Sequence, residues 1–218
     1  MNSLLEGDKA KCASIVAHLL EQKIDIKVLY KDLFQRSLYQ IGKQWENNKI
    51  CVATEHVATS ITECLLNFTY PNIHSGKKND KRVVVTCVPK EFHQIGAKMV
   101  ADLFEINGWE TYYVGANTPL NELFKLVSTK KPHLLAVSLT FYLNVLRLFD
   151  LIERVQLEFP KLKIIVGGQA LADKKSEVLN KYKDVEYIAS LNELETFILN
   201  QNRKSSVKLK DGKVRIVK

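Results

Sequence analysis

Long apolar runs are missing from this 218-residue chain: none approaches the roughly 18 residues of a membrane-spanning helix. The opening MNSLLEGDKAKC also lacks the basic stretch and apolar core of a signal peptide. The expectation is a cytoplasmic protein with no membrane partner. Cys-x-x-Cys spacing is absent, and the four cysteines, Cys12, Cys51, Cys64 and Cys87, sit in apolar segments. They are expected as buried free thiols, in neither disulfides nor a zinc site. Neither G-x-G-x-x-G nor G-x-x-x-x-G-K-[ST] occurs, so a nicotinamide cofactor or a nucleoside triphosphate is not indicated. An excess of one sign of charge is nearly missing from most of the chain despite a net +8. Seven basic residues and one acidic fall between Arg203 and Lys218, leaving +2 for the rest. A solvated basic tail explains the total better than nucleic-acid binding, which is not expected.

What is present reads as two textures. Up to Pro71 glycine is almost absent and proline wholly so, while apolar residues recur at helical spacing: Ile15, Val16, Leu19 and Leu20; then Val28, Leu29 and Leu33; then Val57, Ile61, Leu65 and Phe68. This predicts a helical bundle over 1–70. The segment TYPNIHSGKKND breaks the pattern and predicts a linker over 71–81. From Arg82, short β-branched runs alternate with helical patterns: RVVVTCV, ETYYVG, HLLAVSL, KIIVGG and VEYIAS. Continuously apolar strands separated by helices predict an α/β domain over 82–202, a Rossmann-like (flavodoxin-like), doubly wound, parallel five-stranded sheet. Residues 203–218, with Asp211-Gly212 between alternating apolar and basic positions, suggest a hairpin or a disordered basic tail.

Ligands of open α/β sheets bind beyond the carboxyl ends of the strands. The loops there read PKEFHQIG, GANTP, SLTFYLN and GGQAL. His93 has Glu91 close enough in sequence to hold one ring nitrogen, as a carboxylate commonly does behind a metal-ligating imidazole. Gly96 removes a side chain where a helix starts, Ser138 and Thr140 offer two hydroxyls, and Gly167-Gly168 leaves bare backbone. Together they describe a slot for something bulky with a polar tail, larger than a metal ion.

Glu91-x-His93-x-x-Gly96, Ser138-x-Thr140 and Gly167-Gly168, in this order, resemble the cobalamin-binding Rossmann-like domain of corrinoid proteins and B12-dependent enzymes. The resemblance spans about Arg82 to Leu199. It implies that His93 is the lower axial ligand of cobalt, in place of the dimethylbenzimidazole base. Ser138, Thr140 and Gly167-Gly168 would line the groove for the displaced nucleotide tail. Glu91, where many corrinoid domains have Asp, is typical of one branch, the MerR-type light-sensing regulators that use adenosylcobalamin. Trp45, followed after nine residues by Glu55-His56, is that branch's second mark. On one unbroken helix Trp45 and His56 would be roughly 16 Å apart, but Asn47-Asn48 suggests a turn that brings them together. The resemblance implies that Trp45, Glu55 and His56 cap the adenosyl group. Glu46 stands where at least one such sensor has a second histidine.

Those regulators carry a winged helix-turn-helix domain ahead of the bundle, and here the bundle comes first. The main expectation is an adenosylcobalamin-dependent photoreceptor, not an enzyme, whose homo-oligomeric state or contact with a separate signalling partner changes when light breaks the cobalt–carbon bond. The alternative is a corrinoid methyl carrier of a methyltransferase system, favouring methylcobalamin.

Overall fold

A short α1 (Asn2–Leu5) precedes two helices whose starts are set by aspartates. Asp8 accepts from the Lys11 backbone N–H at 2.9 Å and opens α2 (Lys9–Glu21). Asp25 accepts from the Lys27 N–H at 2.9 Å and opens α3 (Ile26–Val28). Each satisfies a donor that the first helical turn cannot. A π-helical stretch, Leu29–Gln35, buries Leu29, Tyr30 and Phe34 and runs straight into α4 (Arg36–Glu46). The chain then turns: Asn47 donates from Nδ2 to the Lys43 carbonyl at 2.6 Å, and Asn48 takes a left-handed φ of 54°, a conformation asparagine tolerates better than most residues.

Next comes α5 (Val52–Thr69), which buries Ala58, Ile61, Thr62, Leu65, Leu66 and Thr69. That spacing is one stripe of a 3.6-residue helix, and α1, α2 and α4 all pack against this helix. Four apolar positions of the sequence pattern are exposed instead: Ile15, Val28, Val57 and Phe68. Each adjoins a buried residue (Val16, Leu29, Ala58 and Thr69), so it is turned about 100° off the packed face.

The computed structural model describes residues 1–73, 78–172 and 175–211, and the chain divides into two compact units, Met1–His74 and Ser75–Lys218. In the second, five strands alternate with helices: β1 (Arg82–Cys87), α6 (Ile95–Ile106), β2 (Glu110–Gly115), α7 (Leu120–Lys130), β3 (Leu134–Ser138), α8 (Val145–Glu158), β4 (Lys163–Gly167), β5 (Val185–Ile188) and α9 (Leu191–Asp211). All pairings are parallel, in the order β2-β1-β3-β4-β5. This is the doubly wound, flavodoxin-like order that the alternating pattern predicts.

Side chains along the strands alternate between two cores, as the two-residue period requires. Val84, Leu135, Val137, Ile164 and Val166 share one with Leu123 of α7 and Leu148, Leu151 and Ile152 of α8. Val83, Val85, Leu134, Ala136 and Ile165 share the other with Ala97, Ala101 and Phe104 of α6 and Leu194 and Ile198 of α9.

Two expectations need correction. Helix α9 continues through residues 203–211, where a hairpin or tail was expected from 203 on; residues 212–218 lie outside the described part. Of the cysteines, Cys12 and Cys87 are buried but Cys51 and Cys64 are exposed, because Cys51 stands at the N-cap of α5 and Cys64 falls off its packed stripe. A 3-10 turn, Tyr70–Asn72, leads into the expected linker over 71–81, and the boundary between the two units falls within that range. Further along, the Asn79 N–H donates to the Gly108 carbonyl at 2.8 Å, tying this end to the sheet unit.

One glycine is demanded by packing. Gly168, at φ 109° and ψ 164°, lies so close to the next loop that a Cβ would sit 2.1 Å from the Leu139 carbonyl oxygen. Such backbone is essentially closed to other residues. Gly168→Ala should therefore lower stability by roughly 3 kcal/mol or more, read as a lower midpoint in urea unfolding; a variant as stable as wild type would contradict this packing.

Candidate cobalamin site

The strand order reverses between β1 and β3, and the crevice beyond their carboxyl ends is where such sheets hold ligands. Register sets Cys87, Ser138 and Gly167 side by side at the ends of β1, β3 and β4. The loop after β1 turns at Lys90, which takes a left-handed conformation (φ 64°). It then buries Glu91, which is 1% exposed.

Every described contact of this carboxylate is to a loop at the same sheet end. Oε1 lies 2.5 Å from His93 Nδ1 and accepts from the His93 backbone N–H at 3.2 Å. Oε2 accepts from the backbone N–H groups of Phe141 at 2.9 Å and Thr140 at 3.2 Å, and from Asn144 Nδ2 at 3.4 Å. Arg147 Nη1 in turn donates to Asn144 Oδ1 at 3.0 Å. Burial alone would push the Glu91 carboxyl up. The hydrogen bonds from the His93 ring, the Phe141 N–H and the His93 N–H outweigh it and hold the group down at about 2. Cys87 goes the other way: burial, then the Glu91 charge, pushes its thiol up to about 12. It stays protonated and donates to the His93 carbonyl at 3.8 Å.

With Nδ1 committed to a carboxylate, the imidazole carries its proton there, and Nε2 is the nitrogen it would offer to a metal. The His93 side chain is 53% exposed while its support is buried. Downstream, Gln94 caps α6 and accepts from the Ala116 N–H at 3.3 Å, while the Tyr113 hydroxyl donates to the Gln94 carbonyl at 3.2 Å. Gly96 is exposed in the first turn of α6, and a Cβ there would meet nothing within 4 Å. Ser138 and Thr140 are half-buried, and neither hydroxyl is engaged by another described residue. The Gly167 carbonyl accepts from the Leu139 N–H at 2.9 Å, and the Ala170 N–H donates to the Leu139 carbonyl at 3.3 Å. These two bonds lock the loops after β3 and β4 together.

The sheet unit thus gathers Glu91, His93, Gly96, Ser138, Thr140, Gly167 and Gly168 at one end. Trp45, Glu55 and His56 belong to the helical unit, at the end of α4 and the start of α5. Trp45 is 41% exposed. Glu55 Oε1 accepts from the Thr59 hydroxyl at 2.7 Å, and its Oε2 lies 3.7 Å from His56 Nε2. Sequence reasoning missed Asn144 and Gln94, which lie inside the loops it singled out but act only through backbone and amide bonds that spacing does not reveal.

Among the described residues no group of three or more His, Cys, Asp and Glu side chains could hold a metal ion. A single supported imidazole suits instead a metal that arrives with most of its ligands, as cobalt does in a corrin. The exposed Gly96, which no protein atom explains, and the two unengaged hydroxyls fit such a bulky group.

A Rossmann-like sheet with a histidine held by a buried carboxylate at its switch point suits a cobalamin-binding protein, the class to which the family comparisons assign the chain. The B12 binding domain model matches residues 81–193, and a second model of the same description matches residues 1–67. The chain belongs to the B12 binding domain family. Trimethylamine corrinoid protein 1 of Methanosarcina acetivorans is 21% identical over 183 residues, covering 79% of this chain and 84% of that protein. The HTH-type transcriptional repressor CarH of Myxococcus xanthus is also 21% identical, over 164 residues, but the match covers only 54% of its length. The Methanosarcina barkeri monomethylamine corrinoid protein shares the fold with a TM-score of 0.79 at 16% identity, over 92% of this chain and 95% of that one. Among the described residues no helix is long and apolar enough to cross a membrane.

Because the folded-state carboxyl of Glu91 lies below its ordinary 4.5, it contributes stability that is present in full above that pH and is lost as pH falls toward about 2. Between about pH 6 and pH 3 the wild type should lose on the order of 2 kcal/mol more than Glu91→Gln, followed by urea unfolding. Parallel pH curves for the two proteins would remove the ionised network.

Proposed function

We propose that this chain is a corrinoid methyl carrier of a methyltransferase system, working in the cytoplasm. The observation that carries this reading is the similarity to trimethylamine corrinoid protein 1, which extends over both units and most of either chain. The repressor match spans only about half of its relative. When bound, the corrin cobalt supplies an atom that accepts a methyl group and gives it up.

This chain's own residues hold and orient that group. His93 ligates through Nε2, with its proton kept on Nδ1 by Glu91, and the buried carboxylate raises the basicity of the ligating nitrogen. Gly96 gives the corrin clearance over the start of α6. The Ser138 and Thr140 hydroxyls bond the nucleotide tail along the Gly167-Gly168 backbone. A carrier would have to leave the bound cobalt open to its partner enzymes. Catalysis then belongs to the partner methyltransferases.

The second reading is the adenosylcobalamin photoreceptor, favoured by Trp45 and Glu55-His56 on either side of the Asn47-Asn48 turn. There the three side chains would enclose the adenosyl group, and light would change assembly or partner binding.

Upper-ligand preference separates the two. Reconstituted in the dark, the carrier should bind methylcobalamin at least as tightly as adenosylcobalamin and should elute unchanged from size exclusion after green light. A tenfold or greater preference for adenosylcobalamin, with a light-driven change in assembly, would overturn the carrier in favour of the sensor. Independently, Gly96→Ala should leave the cofactor-free protein as stable or about 0.5–1 kcal/mol more stable, yet weaken cobalamin binding in titrations followed by absorbance. Unchanged affinity would remove Gly96 from the site.

A further inference from the structure

At the opposite end of the sheet, a groove of about 1080 Å³ runs across the amino ends of the strands. Its floor includes Trp109, Leu134, Phe159, Leu162 and Phe197; its lining cations are Lys81, Lys131, Lys161, Lys163 and Arg203. Among the described residues no Asp or Glu lines it. We infer that this groove is a docking site for an acidic segment of a partner protein, one that alternates carboxylates with apolar side chains.

Charge complementarity carries the assignment. Lys131, Lys161, Lys163 and Arg203 are exposed, whereas Lys81 is partly buried, lies 5.2 Å from the Trp109 ring centre and donates to the Gln201 carbonyl. The positive field reaches the wall. His133 accepts at Nδ1 from the Arg82 backbone N–H at 3.0 Å. Burial first, then the Arg82 and Lys81 charges, depress its protonation, with Asp80 opposing. Lys131 caps α7 at φ 47° and ψ 58°, a left-handed position where glycine is the low-strain residue, so its charge can be removed there without adding strain.

Size and surface choose the ligand class. The volume stands at the upper end of small-molecule pockets, and the groove is continuous across four strand ends. The aromatic rings offer no exposed stacking platform for bases. Trp109 is 4% exposed, packs edge-on against Phe104 and donates from Nε1 to Asn202 Oδ1 at 2.9 Å. An acidic peptide with apolar side chains meets the half-buried Phe159, Leu162 and Phe197 as well as the cationic rim. Docking here leaves the His93 end of the sheet uncovered, so both ends can be occupied at once.

The test uses the cobalamin-loaded full chain and a fluorescent peptide alternating Glu with Leu and Phe, read by anisotropy. Saturable binding of one peptide per chain is expected. Reversing Lys131, Lys161 and Lys163 to Glu should weaken it at least about tenfold, while reversing Lys9, Lys11 and Lys31 of the helical unit to Glu should leave it within about twofold. Lys131→Gly separates folding from binding: it should melt no lower than wild type yet bind about threefold more weakly. Equal peptide binding by the groove-reversed and wild-type proteins would overturn the assignment. So would a single-stranded oligonucleotide that binds through the same lysines more tightly than the peptide, which would make the groove a nucleic-acid site.

Discussion

The site depends on one buried carboxylate. Glu91 accepts the His93 ring and backbone N–H on one oxygen and three donors from the β3–α8 loop on the other. A carboxylate removed from water is costly unless its lone pairs are satisfied, and here each oxygen is satisfied by a different loop. The same charge that fixes the imidazole therefore fixes the spacing of two strand ends. Glutamate is one methylene longer than aspartate, so it spans from the β1 loop to the Phe141 N–H without dragging the loops together. Cys87 beneath it stays a neutral donor because it is buried and, second, because that charge is near.

A second constraint acts at the neighbouring strand. Gly168 passes so close to Leu139 that no side chain fits, and the backbone bonds between Leu139, Gly167 and Ala170 lock those loops. Between these two fastenings lie the half-buried Ser138 and Thr140. The floor of the crevice is thus rigid backbone, while the groups that face a ligand are small or polar. Such a division suits a large planar ring with a long polar tail, because the ring needs clearance and the tail needs placed donors and acceptors.

The strands were legible because each is a short apolar run bounded by breakers, and the parallel order follows from the helices between them. Glu91 and His93 were legible as a pair two residues apart. What sequence could not show is that Glu91 also reaches Phe141 and Asn144, some fifty residues away, since long-range bonds leave no periodic trace. Apolar pattern overstated burial in the helical unit: Val57 and Phe68 share α5 with the packed stripe but sit one residue off it. The carboxyl-terminal segment misled for a related reason. Alternation around Asp211-Gly212 imitates a hairpin, but α9 is already nucleated by Leu194 and Ile198 packed on the sheet, and propagation is cheaper than a new start. The basic groove was invisible because its lysines come from separate segments that only the fold assembles.

The measurement that tests the central claim most directly is the electron paramagnetic resonance spectrum of the protein loaded with cobalt(II) cobalamin, prepared with ordinary histidine and with histidine carrying the heavy nitrogen isotope. If His93 Nε2 is the lower ligand, each cobalt line is split in three by one ordinary nitrogen and in two by the heavy isotope, and His93→Ala abolishes the change. A splitting indifferent to the label would mean that the base of the cofactor itself, or no nitrogen at all, holds the cobalt, and the role assigned to the Glu91–His93 pair would be wrong.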